Sequence, residues 1–76
     1  MRITIQLMFA DRHGLEMTSN RVILHFDTRE EKPKISHYVS KVRKVANTLA
    51  PIQAEQCQIR DERGNPWTPW LSLDRE

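Results

Sequence analysis

Only one stretch of this 76-residue chain repeats at the helical period, and that scarcity limits what the chain can build. Across KISHYVSKVRKVANTL, residues 34–49, the apolar positions Ile35, Tyr38, Val39, Val42, Val45, Ala46 and Leu49 recur at i, i+3, i+4 and i+7. At about 100° per residue they fall within about 120° of one another and form one apolar stripe. Pro33 suits a first helical position, and Glu30 and Glu31 just upstream favour the positive end of the helix dipole. Thr28 and Glu31 have capping-box spacing, but a start there would carry Pro33 deeper into the helix, where it is poorly tolerated. Pro51 biases Ala50 away from helical geometry, so the helix is predicted to stop near Leu49.

The other periodic segments alternate. In RITIQLMF, Ile3, Ile5, Leu7 and Phe9 alternate with Arg2, Thr4, Gln6 and Met8, the period-2 pattern of a strand with one buried face. ADRHG supplies turn chemistry, and RVILHFD resumes the alternation with Val22, Leu24 and Phe26 against Arg21, Ile23, His25 and Asp27. Leu15 to Met17 read as an extension of this second strand. After the helix, Cys57 and Ile59 alternate with Gln56, Gln58 and Arg60, followed by a turn built on Asp61 and Gly64. Residues 66–76 carry prolines at 66 and 69 that cannot donate to a ladder, which makes this segment an edge strand or an extended C-terminal tail. Trp67 or Trp70 is expected to pin it to the core.

The predicted fold class is therefore α+β: a small antiparallel or mixed sheet of three to five strands with one amphipathic helix packed on one face. The element order is β-β-α-β, with a further edge strand if the tail pairs. Residues 1–76 make a single domain with one thin core, because a chain this short buries only about 60–65 % of its unfolded surface. With 38 % hydrophobic and 29 % charged residues it is too apolar for a disordered segment. Alternation begins at Arg2, so no leader is expected, and no apolar run approaches the ~18 residues of a membrane span. One cysteine, Cys57, has no internal disulfide partner, which points to a reducing cytoplasm and a small buried side chain in a strand.

One helix covers one face of a sheet. The reverse face is then expected to lie open, carrying Arg2, Thr4, Gln6, Met8, Arg21, Ile23, His25, Gln56, Gln58 and Arg60: polar, mildly basic, with Met8 and Ile23 as apolar centres. It bears no stacking aromatic, which argues against base recognition on the sheet. Arg2, Gln6, Met8, Arg21, Ile23 and His25 are its candidate contacts for a partner protein or a second copy. A solvated polar face is the plainer account.

Charge points to a second surface. Net charge is only +2, yet Lys32 to Ala54 holds five basic residues and no acid, against seven basic and ten acidic elsewhere. Lys34, His37, Lys41 and Lys44 gather on a helix flank about 80° wide, with Arg43 on the opposite flank. These five residues are the candidates for docking on nucleic acid or a nucleoprotein assembly, with the salt-sensitive affinity of phosphate contacts. An ordinary lysine-rich wet side is the competing explanation.

Signals for chemistry are weak. His13, His25, His37 and Cys57 lack any metal-ligand spacing, and no nucleotide-binding or nucleophile motif occurs, so no metal, cofactor, small-molecule substrate or catalytic residue is expected. His25 and Asp27 share a strand face, as a base and its orienting carboxylate would, without a nucleophile beside them. The expectation is a non-enzymatic binding module of the accessory regulator or inhibitor type found in bacteria and mobile elements. It docks on nucleic acid through the helix flank or, alternatively, acts as a homodimer or single-partner inhibitor through the sheet face or a strand edge.

Overall fold

The computed structural model describes residues 2–27, 29 and 39–74. Four strands and one helix follow the order β1 (Arg2–Ala10), β2 (Val22–Asp27), α1 (Val39–Leu49), β3 (Gln56–Asp61) and β4 (Leu71–Ser72). They make an α+β fold with one antiparallel sheet, ordered β2-β1-β3-β4. The predicted helix start at Pro33, with Lys34, Ile35, His37 and Tyr38, lies outside the described residues, as does the capping-box pair. The helix ends at Leu49, where Pro51 was expected to stop it.

The alternation of β1 decides its two faces. Ile3, Ile5 and Leu7 stand opposite Phe26, Leu24 and Val22 on β2, while Leu7 and Phe9 stand opposite Ile59 and Cys57 on β3. Directly opposed residues share a face, so Ile3, Ile5, Leu7 and Phe9 lie on one side of the sheet with Val22, Leu24, Phe26, Cys57 and Ile59, and Met8 and Ile23 lie on the other. Ile5, Leu7, Phe9, Cys57 and Ile59 form one buried cluster with Val42 and Ala46 of α1, Ala54 and Leu73. Cys57 is buried as expected, and burial pushes its thiol pKa up to about 11.

The chain makes its two hairpin turns with one device used twice. In A-D-R-H-G-L-E, Asp11 Oδ1 accepts the amides of His13 and Leu15, Gly14 N donates to Asp11 O, and Asp11 N donates to Leu15 O. In R-D-E-R-G-N-P the same four bonds recur, from Arg63 and Asn65 to Asp61 Oδ1, from Gly64 to Asp61 O and from Asp61 N to Asn65 O. Gly14 and Gly64 take φ of 80° and 90°, a left-handed geometry that other residues adopt at a steric cost. Each turn closes on an isolated bridge, Ala10 to Glu16 and Arg60 to Pro66. Leu15 to Met17 pair with the end of β1 through the Ala10 to Glu16 bridge but do not extend β2, from which a 3-10 turn at Thr18–Asn20 separates them.

Those bonds, chiefly the Asn65 amide, hold the Asp61 carboxyl below the ordinary value of 3.8. A group with a depressed folded pKa stabilises the fold fully above its unfolded pKa and loses that contribution as pH falls through the folded value. Melting temperature measured against pH should therefore drop on acidification below about 4, and Asp61→Asn should flatten part of that drop. A variant that melts in parallel with the parent at every pH would refute this.

The C-terminal segment is an edge strand. Leu71 and Ser72 pair with Cys57 and Gln56, and Trp67 N donates to Ile59 O, with Thr68, Pro69 and Trp70 between them bulging off the ladder. It is pinned by Leu73, 8 % exposed, and Leu71, not by the tryptophans. Trp67 remains 38 % exposed and Trp70 half-buried, because the register turns the two leucines, and not Trp70, toward the core.

Candidate interaction surface

The reverse face is not bare. Arg2, Thr4, Gln6, Met8, Ile23, His25, Gln56, Gln58 and Arg60 do share it by register. Yet Gln6 and Gln58 are each 8 % exposed and Met8 is 6 % exposed. The cover comes from the hairpin loops and the tail. Gln6 Nε2 donates to Glu62 O at 2.8 Å, and Gln58 Nε2 to Thr68 O at 3.1 Å. Arg60 donates through Nε to Gln58 Oε1 at 2.7 Å and through Nη2 to Glu16 Oε1 at 2.6 Å, while its guanidinium lies 5.6 Å from the Trp70 ring centre. Each buried amide thereby finds a partner within the chain, as burial of a polar group requires. Gln6 and Met8 are therefore corrected from docking contacts to internal packing.

What stays accessible on this face lies toward β2. Ile23 is 49 % exposed, and Arg2, Arg21, His25 and Asp27 are exposed. His25 Nδ1 sits 3.2 Å from Thr4 Oγ1, and Asp27 faces Arg2 at 3.7 Å. His25 and Asp27 thus engage different partners, and no base-carboxylate pair forms between them.

On the helix, Lys41 and Lys44 are exposed and α1 contains no acid. Lys34 and His37 lie outside the described residues. Arg43 is committed elsewhere: its Nη2 donates to Ser72 O at 3.0 Å and lies 3.9 Å from Asp74, whose amide donates to Asn47 Oδ1. It fastens α1 to the end of β4, with its side chain still 43 % exposed.

The β2 edge carries a feature that composition does not display. Phe9 O accepts Met17 N on the β2 side of β1, and Ala10 O accepts Glu55 N on the β3 side. Because alternate residues of an antiparallel strand bond alternate neighbours, the odd positions of β1 bond β2. Val22, Leu24 and Phe26, opposite Leu7, Ile5 and Ile3, therefore spend their backbone groups inward. Ile23, His25 and Asp27 point theirs away from the sheet. The β4 edge is two residues long and preceded by Pro66 and Pro69, shortness and proline being usual ways of blunting an edge. V-I-L-H-F-D contains no proline, glycine or lysine.

Surface hollows lie among the described residues. One of about 410 Å³ lies between the start of β1 and the Asp61 turn, lined by Arg2, Thr4, Glu62, Arg63 and Trp67 among others; one of about 320 Å³ joins the Asp11 turn to Gln53 and Glu55. Among the described residues no three His, Cys, Asp or Glu side chains converge, and no helix is long and apolar enough to cross a membrane. No protein-family model, curated protein or solved structure matches this chain.

Proposed function

We propose that this chain is a non-enzymatic binding module of the cytoplasm whose docking element is the outer edge of β2, acting by occlusion or recruitment of a protein partner. The observation that carries this reading is the outward row of N–H and C=O groups at Ile23, His25 and Asp27 on the unblunted side of a sheet whose other side is blunted. An extended segment added there gains main-chain hydrogen bonds for affinity and side-chain alternation for specificity.

A second reading rests on a separate observation, the absence of acids from α1 with Lys41 and Lys44 exposed on one flank. On that reading the partner is nucleic acid or a nucleoprotein assembly.

One experiment separates them. Wild-type protein is used to capture partners from its native host at low and high ionic strength, beside His25→Pro and the double variant Lys41→Glu/Lys44→Glu. Proline at 25 deletes an outward N–H that bonds nothing among the described residues, so circular dichroism should still report a folded chain. A partner lost by His25→Pro but kept by the lysine variant supports the edge. The opposite pattern, with affinity falling steeply between about 50 and 200 mM salt, rejects the edge in favour of the helix flank.

A further inference from the structure

We propose that the occupant of the β2 edge is the β2 edge of a second copy, joining two four-stranded sheets into one; this rests on the edge reading above and names its partner. The argument is one of register. Two antiparallel β2 strands related by a two-fold axis must oppose residues that share a face, which restricts the pairings to alternate registers.

The register centred on Leu24 sets Ile23 opposite the second copy's His25, so the outward amides and carbonyls of both residues are satisfied, twice over by symmetry. It sets Arg21 opposite Asp27, again twice. Arg21 already adopts extended geometry at φ −68° and ψ 131°, its amide turned back to Thr18 O at 3.4 Å and its carbonyl left for the ladder. Asp27, exposed and 3.7 Å from Arg2 in its own chain, would then lie between two guanidinium groups. On the core side Leu24 meets Leu24 and Val22 meets Phe26, extending the apolar layer over residues that are only half-buried in the single chain.

The neighbouring registers lack this complementarity. Centring on His25 opposes the two imidazoles and sets Ile23 against Asp27. Centring on Ile23 opposes Arg21 to His25 and leaves Asp27 beyond the ladder. Opposite charges directly across a ladder stabilise it, and like or mismatched pairs do not.

The test is a charge exchange read by sedimentation and light scattering. Wild type should dimerise at micromolar concentration. Arg21→Asp alone opposes two carboxylates, Asp27→Arg alone opposes two guanidinium groups, and each should weaken dimerisation at least tenfold. Mixing the two single variants should restore a heterodimer, since every Asp then faces an Arg, and the doubly exchanged chain should again form a homodimer. Amide exchange at Ile23 and His25 should be slow in wild type and fast in either single variant. A wild type that stays monomeric at millimolar concentration, or a dimer indifferent to these reversals, overturns the proposal. If a foreign partner is nevertheless lost with His25→Pro, the edge reading survives without self-pairing. If that capture is unaffected as well, both fall.

Discussion

Phe9→Ala should abolish most of the stability of this protein, with the thermal midpoint falling by at least about 12 °C or the cooperative transition disappearing. Phe9 is fully buried near the end of the central strand, in the cluster that joins β1 and β3 to Val42 and Ala46 of the helix. Truncating such a side chain costs about 3–5 kcal/mol, the lost transfer energy plus the cavity left behind. A domain of this size has about 4–11 kcal/mol in total, so the variant loses a large part of it. The matched control is Leu15→Ala, at a side chain 67 % exposed. It should move stability by no more than about 0.5 kcal/mol. Equal effects of the two substitutions in urea or thermal denaturation would contradict the position of this core.

Met8→Lys is expected to be nearly as damaging, by at least about 3 kcal/mol, whereas Ile23→Lys should leave folding almost unchanged. The two apolar residues share the reverse face, and periodicity treats them alike. Met8, however, stands opposite Gln58, which Arg60 and Thr68 hold in place. An ammonium there has Arg60 as a diagonal neighbour across the ladder, a like charge already paired with Gln58 and Glu16. Either the charge stays unpaired or the cover of loops and Trp70 must lift. Ile23, half-exposed on the edge strand, leaves a lysine free to reach water. Chemical denaturation of both variants decides the matter, and a Met8→Lys protein as stable as Ile23→Lys would mean that the reverse face is open after all.

That contrast marks where sequence reading stopped. The alternation of Ile3, Ile5, Leu7 and Phe9 identified the buried side of β1, and the register placed nine of the ten predicted reverse-face residues together. Arg21 falls just before β2, where the 3-10 turn ends. The error lay in equating a polar face with a wet one. Glutamine, arginine and methionine have long apolar stems, so Gln58, Arg60 and Met8 can be covered by one another and by loops. Nothing in a two-residue period records that Glu16 will meet Arg60, Thr68 will meet Gln58 and Glu62 will meet Gln6, the last across 56 positions. The repeated Asp-x-x-Gly turns were readable as a motif, and the two segments announce their hairpins locally. The helix flank shows the opposite limit: Arg43 looks like any exposed cation in its heptad, and its bond to Ser72 depends on where β4 comes to rest.

By itself the amino-acid order settled the local matters: which segments alternate, where Pro51 stops the helix, that Cys57 would be buried and that the proline-rich end could be no more than an edge strand or an extended tail. These follow from backbone sterics and from hydrophobic spacing within a few residues of each position. The tertiary structure alone decided the strand order, the cover over Gln6 and Met8, and which edge keeps its hydrogen-bonding groups turned outward. Those depend on pairings between distant segments, whose outcome is set by the joint packing of the sheet rather than by any residue's neighbours in the chain.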